Sequence, residues 1–111
     1  MKDNLAYVCG PITGIEDLNK TEFKVAGKTL ERLGYEVFIP HEIFENLNTD
    51  NYTHSDYMRK CIQVMMKCDI IFTLNDWHNS KGASIEVDLA RKLDIPVVPI
   101  IIANTYKVKS L

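Results

Sequence analysis

Four short apolar runs alternate with three amphipathic segments along this chain, and that alternation limits the folds open to it more than any other feature. Leu5 to Cys9 is the first run, closed by Gly10-Pro11. Phe23, Ala26, Leu30 and Leu33 then recur at helical spacing, with Asn19-Lys20-Thr21-Glu22 as a variant capping box in front and Gly34 behind. Tyr35 to Ile39 is the second run, stopped by Pro40. Residues 40 to 54 read as polar and irregular. Ser55 is expected to cap a second helix with Met58, Ile62, Met65 and Met66 as its apolar positions, before a third run from Asp69 to Leu74. A helix from about Gly82 to Leu93 turns Ala83, Val87 and Ala90 inward and carries Ile85, Leu89 and Leu93 as an apolar stripe. Ile95 to Ile102 is the fourth run. Its Pro99 has no amide to donate, which places this strand at an edge or gives it a local irregularity.

Strand and helix thus alternate as β-α-β-α-β-α-β, the pattern of a parallel sheet with right-handed crossovers and helices on both faces. The expected architecture is α/β, a flavodoxin-like three-layer sandwich with strand order 2-1-3-4. In that order the chain reverses direction between strands 1 and 3, so the loops that follow them diverge and leave a crevice. Those loops are "CGPITGIEDLN" and "NDWHNSKGAS".

The 111 residues correspond to one domain, 1–111, with enough apolar material (46%) for a single small core. A net charge of -2 argues against a nucleic-acid polymer as partner, and Lys107 and Lys109 are too few for a basic arm. The opening "MKDNLAYVCGP" lacks the apolar core of a signal peptide, and no apolar run reaches transmembrane length. A cytoplasmic protein with no membrane partner is expected. Three cysteines without a secretion signal read as reduced thiols, and Cys61 and Cys68, roughly two helical turns apart, as core residues. Together with the three histidines they supply no metal-ligand spacing, so neither a metal nor another cofactor is expected.

The chemistry belongs in the crevice. Gly10-Pro11-Ile12-Thr13-Gly14 is neither a dinucleotide fingerprint nor a P-loop. It is either a plain connection or a rigid turn whose amides and Thr13 hydroxyl accept an anion or a sugar edge. Ser80 and Gly82 precede a helix, where free amides and the dipole favour an anion. Ser80 reads equally well as a simple cap. Glu86 follows in the first turn or two; the dipole favours its charged form and burial opposes it. An ionised acid facing a crevice suits a nucleophile or an oxocarbenium stabiliser, although acids also occupy first turns for the dipole alone. Tyr7 shares a strand face with Cys9, and Trp77 and His78 sit on the second loop. Asp69 is at the opposite end of the sheet and reads as structural.

The segments "YVCGPITG", "GYEVFIP" and "YMRKCIQVMMKCDIIFTLNDWHNSKGASIEVDLARKLDIPVV" resemble the nucleoside 2-deoxyribosyltransferase-like family, in particular its short phage and bacterial members of unassigned role. The resemblance runs from about residue 5 to residue 98. It implies cleavage or transfer at the N-glycosidic bond of a nucleoside or nucleoside monophosphate. Glu86, the glutamate of a G-x-x-x-E segment, would be the nucleophile, with Tyr7 orienting it. Ser80, with Gly10 and Gly82, would hold a 5′-phosphate, and Trp77 would lie near the base. The family's habit of completing its pocket from a neighbouring subunit implies a homodimer or larger homo-oligomer, with residues 104–111 as a candidate contact. One departure stands out: the family's aspartate eight residues before Asp69 is here Cys61. Asp56 lies about 500° around the helix from that position and does not replace it. A thiol there makes a catalytically impaired nucleotide-binding or sensing module the alternative reading.

Overall fold

The computed structural model describes residues 4–105. Four parallel strands, β1 (Leu5–Cys9), β2 (Glu36–Phe38), β3 (Ile70–Thr73) and β4 (Val97–Pro99), stand in the order β2-β1-β3-β4. The helices are α1 (Lys20–Arg32), α2 (Pro40–Ile43), α3 (His54–Met65) and α4 (Lys81–Lys92). The fold class, the order and the edge position of β4 are those expected. β1 and β3 are the inner strands, and both are apolar almost without interruption because each is covered on two sides.

Strand alternation divides the core into two layers. Ala6 and Val8 of β1, in register with Ile70 and Phe72 of β3, point toward α1, where Phe23, Ala26 and Leu30 close the layer. Tyr7, Cys9 and Ile71 point the other way, toward Cys61 and Met65 of α3 and Ala83, Val87 and Ala90 of α4. Burying a Leu- or Phe-sized side chain in either layer contributes about 1.5–3 kcal/mol.

Several boundaries differ from the sequence reading, each for a local reason. Asn19 does not cap α1 with its side chain. It adopts a left-handed conformation after Asp17 and Leu18, which do the same, and its amide donates to Pro11 O at 2.9 Å. Residues 40–54 are not wholly irregular, since Pro40 sits in the first turn of the short α2. α3 is capped by Thr53 rather than Ser55, through a reciprocal capping box with Asp56. Met66 is 53% exposed, at the end of α3 rather than in its buried stripe. The fourth run ends as a strand at Pro99, and Ile100–Ile102 form a 3-10 turn.

On α4 the buried face is Ala83, Glu86, Val87 and Ala90, while Ile85 and Leu93 are 44% and 48% exposed. The spacing i, i+3, i+4, i+7 is that of a core stripe with an acid in its second position. Residues 106–111, including Lys107, Lys109 and most of the proposed tail contact, lie outside the described residues. Among the described residues no helix is long and apolar enough to cross a membrane.

Candidate functional site

The loops after β1 and β3 do diverge, and the crevice between them has a volume of about 1570 Å³. Its floor is Tyr7 and Glu86. Gly10, Pro11, Ile12 and Thr13 line one side, and Ser80 and Gly82 the other. The volume exceeds the roughly 300–1,000 Å³ of ordinary small-molecule pockets, leaving space for more than one small group.

Glu86 is 6% exposed and is the one buried charged side chain among the described residues. A carboxylate in an apolar layer carries a desolvation cost of several kcal/mol unless hydrogen bonds offset it. Here two donors come from the neighbouring strand. Tyr7 Oη donates to Glu86 Oε2 at 2.8 Å, and Cys9 Sγ donates to Oε1 at 3.2 Å. Burial raises the Glu86 pKa above the ordinary carboxylate value, and the bonds from Tyr7 and Cys9 pull it back only in part. The helix dipole is a weaker counterweight than the sequence implied, because Glu86 lies in the second turn of α4 and the effect fades after the first.

The surrounding groups are held neutral. Burial, and then the Glu86 charge, push the Tyr7 hydroxyl well above its usual pKa. Burial and Glu86 do the same to the Cys9 thiol. Cys61, where the family resemblance leads one to expect an aspartate, lines the crevice beside Tyr7. Burial pushes its thiol up to about 11, against the pull of a hydrogen bond with Tyr7. Glu86 is therefore the most acidic group in this cluster. A perturbed acid with specific partners in a cleft is a functional-site candidate on physical grounds.

The glycines have packing reasons of their own. A Cβ on Gly10 would lie 2.8 Å from Leu74 Cβ, and one on Gly82 would lie 3.0 Å from the Met58 sulfur. Ser80 caps α4 by accepting from Ala83 N at 3.2 Å, which leaves its hydroxyl proton available to a ligand. The two readings of Ser80 are compatible.

Two predicted residues are not brought into the crevice. Gly14, at φ 83°, is a left-handed turn residue outside the lining. Trp77 packs against the α4 layer with the Arg91 guanidinium 5.7 Å from its ring centroid and His78 at its edge. Asp69 behaves as expected, accepting from Leu5 N at 2.9 Å at the far end of the sheet.

Other residues were missed. His54, Tyr57 and Met58 of α3 and Phe44 after α2 form a wall of the crevice, with Phe44 and Tyr57 edge to face at 4.9 Å. The Thr53-x-x-Asp56 capping box was the signal that could have placed them, since it fixes where α3 starts. The rim is fixed by the left-handed turn Asp17-Leu18-Asn19, tied by Asn19 to Pro11 O and by His41 Nε2–H to Leu18 O at 2.8 Å. Among the described residues no cluster of His, Cys, Asp and Glu has the arrangement to hold a metal ion.

Residues 4–99 match the model of a family described as Domain of unknown function (DUF4406). No curated protein matches the chain. Solved structures do. One is the 2-deoxyribosyltransferase of the psychrotolerant bacterium Bacillus psychrosaccharolyticus, characterised as a biocatalyst for nucleoside synthesis. It superposes with a TM-score of 0.69 at 21% identity, over 86% of this chain and 70% of that one. At that identity the likeness is one of fold.

Proposed function

The chain belongs to the DUF4406 family, and we propose that its crevice cleaves or transfers the N-glycosidic bond of a nucleoside monophosphate with Glu86 as nucleophile. The observation that carries this reading is the buried carboxylate at the crevice floor with a donor on each oxygen. A Glu86 oxygen bonds to the anomeric carbon as the carbon–nitrogen bond breaks, and the electron pair leaves with the base, which takes up a proton from solvent; the water or second base that follows gives one back. Water or a second base then displaces Glu86, completing hydrolysis or transfer. Tyr7 orients the carboxylate throughout. The Ser80 hydroxyl and the amides of Gly10 and Gly82 suit the 5′-phosphate, at the start of a twelve-residue helix. The resemblance in fold to an enzyme characterised for nucleoside synthesis supports the substrate class.

The chain is read as a single domain acting as a homodimer or larger, supported by the exposed Ile85 and Leu93 on α4; a monomeric mass in solution would contradict the assembly. The alternative is a nucleotide-binding module that has lost its chemistry. Cys61 favours it, because a neutral thiol does not replace a carboxylate beside the reacting sugar.

One experiment separates the two. The protein is incubated with a panel of ribo- and deoxyribonucleoside monophosphates while released base and melting temperature are both followed. Base release that disappears in Glu86→Ala supports catalysis. Stabilisation by nucleotides that remain intact supports the binding module, and neither effect would dispose of both readings.

A further inference from the structure

Each oxygen of the Glu86 carboxylate has its own donor, yet only Tyr7 has been given a role. Cys9 lies two positions after Tyr7 on β1, so both side chains leave the same face of the strand and meet α4 side by side. The Cys9 Sγ is 3.2 Å from Glu86 Oε1 and 3.5 Å from Ala83 O, one helical turn earlier. The residue is fully buried, so no water competes for its proton. A thiol has one proton to give and here has two acceptors in reach.

We infer that Cys9 is a positioning residue with two settings: its thiol holds Glu86 Oε1 while the carboxylate is charged and turns to Ala83 O when Glu86 becomes neutral. The inference rests on the reading of Glu86 as the reacting group. Its physical content is a donor that is never orphaned. When Oε1 is the oxygen that forms the ester or takes up the proton, it becomes a much poorer acceptor, and a donor fixed on it would be left weakly satisfied, at a cost in the buried layer. The Ala83 carbonyl, although already in the helix ladder, has a second lone pair to receive it. A thiol is also a weaker donor than a hydroxyl, so it steadies Oε1 without tying up its electrons as Tyr7 ties up those of Oε2.

The titratable groups that face Glu86 are Tyr7 and Cys9 from β1 and Cys61 from α3; His54 and Asp76 line the same crevice. Tyr7, Cys9 and Cys61 all lose their protons far above the range in which a carboxylate titrates, so none of the groups in contact with the carboxylate mimics its titration, and the same measurement on Glu86→Gln, labelled at its side-chain carbon, subtracts any response to the other crevice residues. The Cys9 bond lowers the Glu86 pKa. Losing that bond therefore moves the titration to higher pH.

The test is a carbon-13 titration of the Glu86 carboxyl group in wild type, Cys9→Ala, Cys9→Val and Cys9→Ser, paired with kcat and KM on whichever nucleotide the wild type turns over. The expected result is an upward shift in both apolar variants and no upward shift in Cys9→Ser, whose hydroxyl, a stronger donor, holds the titration at or below its wild-type position. In kinetics the apolar variants lose about tenfold in kcat, the equivalent of one modest hydrogen bond to a charged group, with KM within about twofold. Two apolar variants of different size keep the test alive if one fails to fold. Folded apolar variants that titrate as wild type would overturn the inference, as would a Cys9→Ser that behaves like them. Because the titration needs no substrate, a wild type without turnover would remove the proposed function while leaving Cys9 to be decided by its own readout.

Discussion

The two faces of the sheet are built from alternate residues of the same strands, but they solve different problems. Toward α1, the side chains of Ala6, Val8, Ile70, Phe72, Phe23 and Leu30 form a layer with no charged member among the described residues. Toward α3 and α4 the corresponding layer holds a phenol, thiols and a carboxylate whose ionised form is disfavoured there. The first face stabilises the fold. The second gives up some of that stability to hold an ionisable acid at the floor of a crevice, a common trade at active sites. One strand, β1, serves both, because its period of two sends Ala6 and Val8 one way and Tyr7 and Cys9 the other.

Substitutions on the two faces should therefore differ in sign as well as size. Leu30→Ala, in the α1 layer, is expected to cost about 2–5 kcal/mol in chemical denaturation, while base release per folded molecule stays at the wild-type level. A loss of turnover matching the loss of stability would break the contrast. Glu86→Gln should do the reverse, abolishing turnover while stabilising the protein by on the order of 1 kcal/mol at neutral pH, since an uncharged amide is cheaper to bury.

The pH dependence of that second effect sharpens the comparison. Because the folded pKa of Glu86 is raised, the unfolded chain releases its proton first as pH increases. Stability therefore falls as pH rises from about 4.3, the unfolded glutamate value, through the higher folded value. Below that window the wild type carries no penalty from Glu86. Melting curves of wild type and Glu86→Gln should converge on acidification and separate above it. Parallel curves would mean that the carboxylate is not strained by its surroundings.

Much of this division was legible in the sequence. The strand order followed from four apolar runs and three helical ones, and Glu86 stood out as an acid among Ala83, Val87 and Ala90. What escaped was decided by tertiary contact. Ile85, Leu89 and Leu93 form as good a helical stripe as Ala83, Val87 and Ala90, and only the close approach of α4 to the sheet selects the smaller residues for burial. Trp77 was visible on the second loop, but its packing against Arg91 and the α4 layer is a tertiary contact that the loop position does not reveal. Cys9 was visible on the right strand face, but its bond to Glu86 depends on a distance between residues 77 positions apart. The wall of Phe44, His54, Tyr57 and Met58 was hidden because α2 and the Thr53 cap lie in a segment whose periodicity is too short to see.

The central claim is that Glu86 forms a bond to the sugar, and peptide-level mass spectrometry of the acid-quenched protein, taken during turnover of a nucleoside monophosphate, tests it directly. The account predicts a sugar-phosphate adduct on the peptide that contains Glu86, absent from Glu86→Gln. Base release at the wild-type rate by Glu86→Gln, with no adduct on either protein, would contradict it.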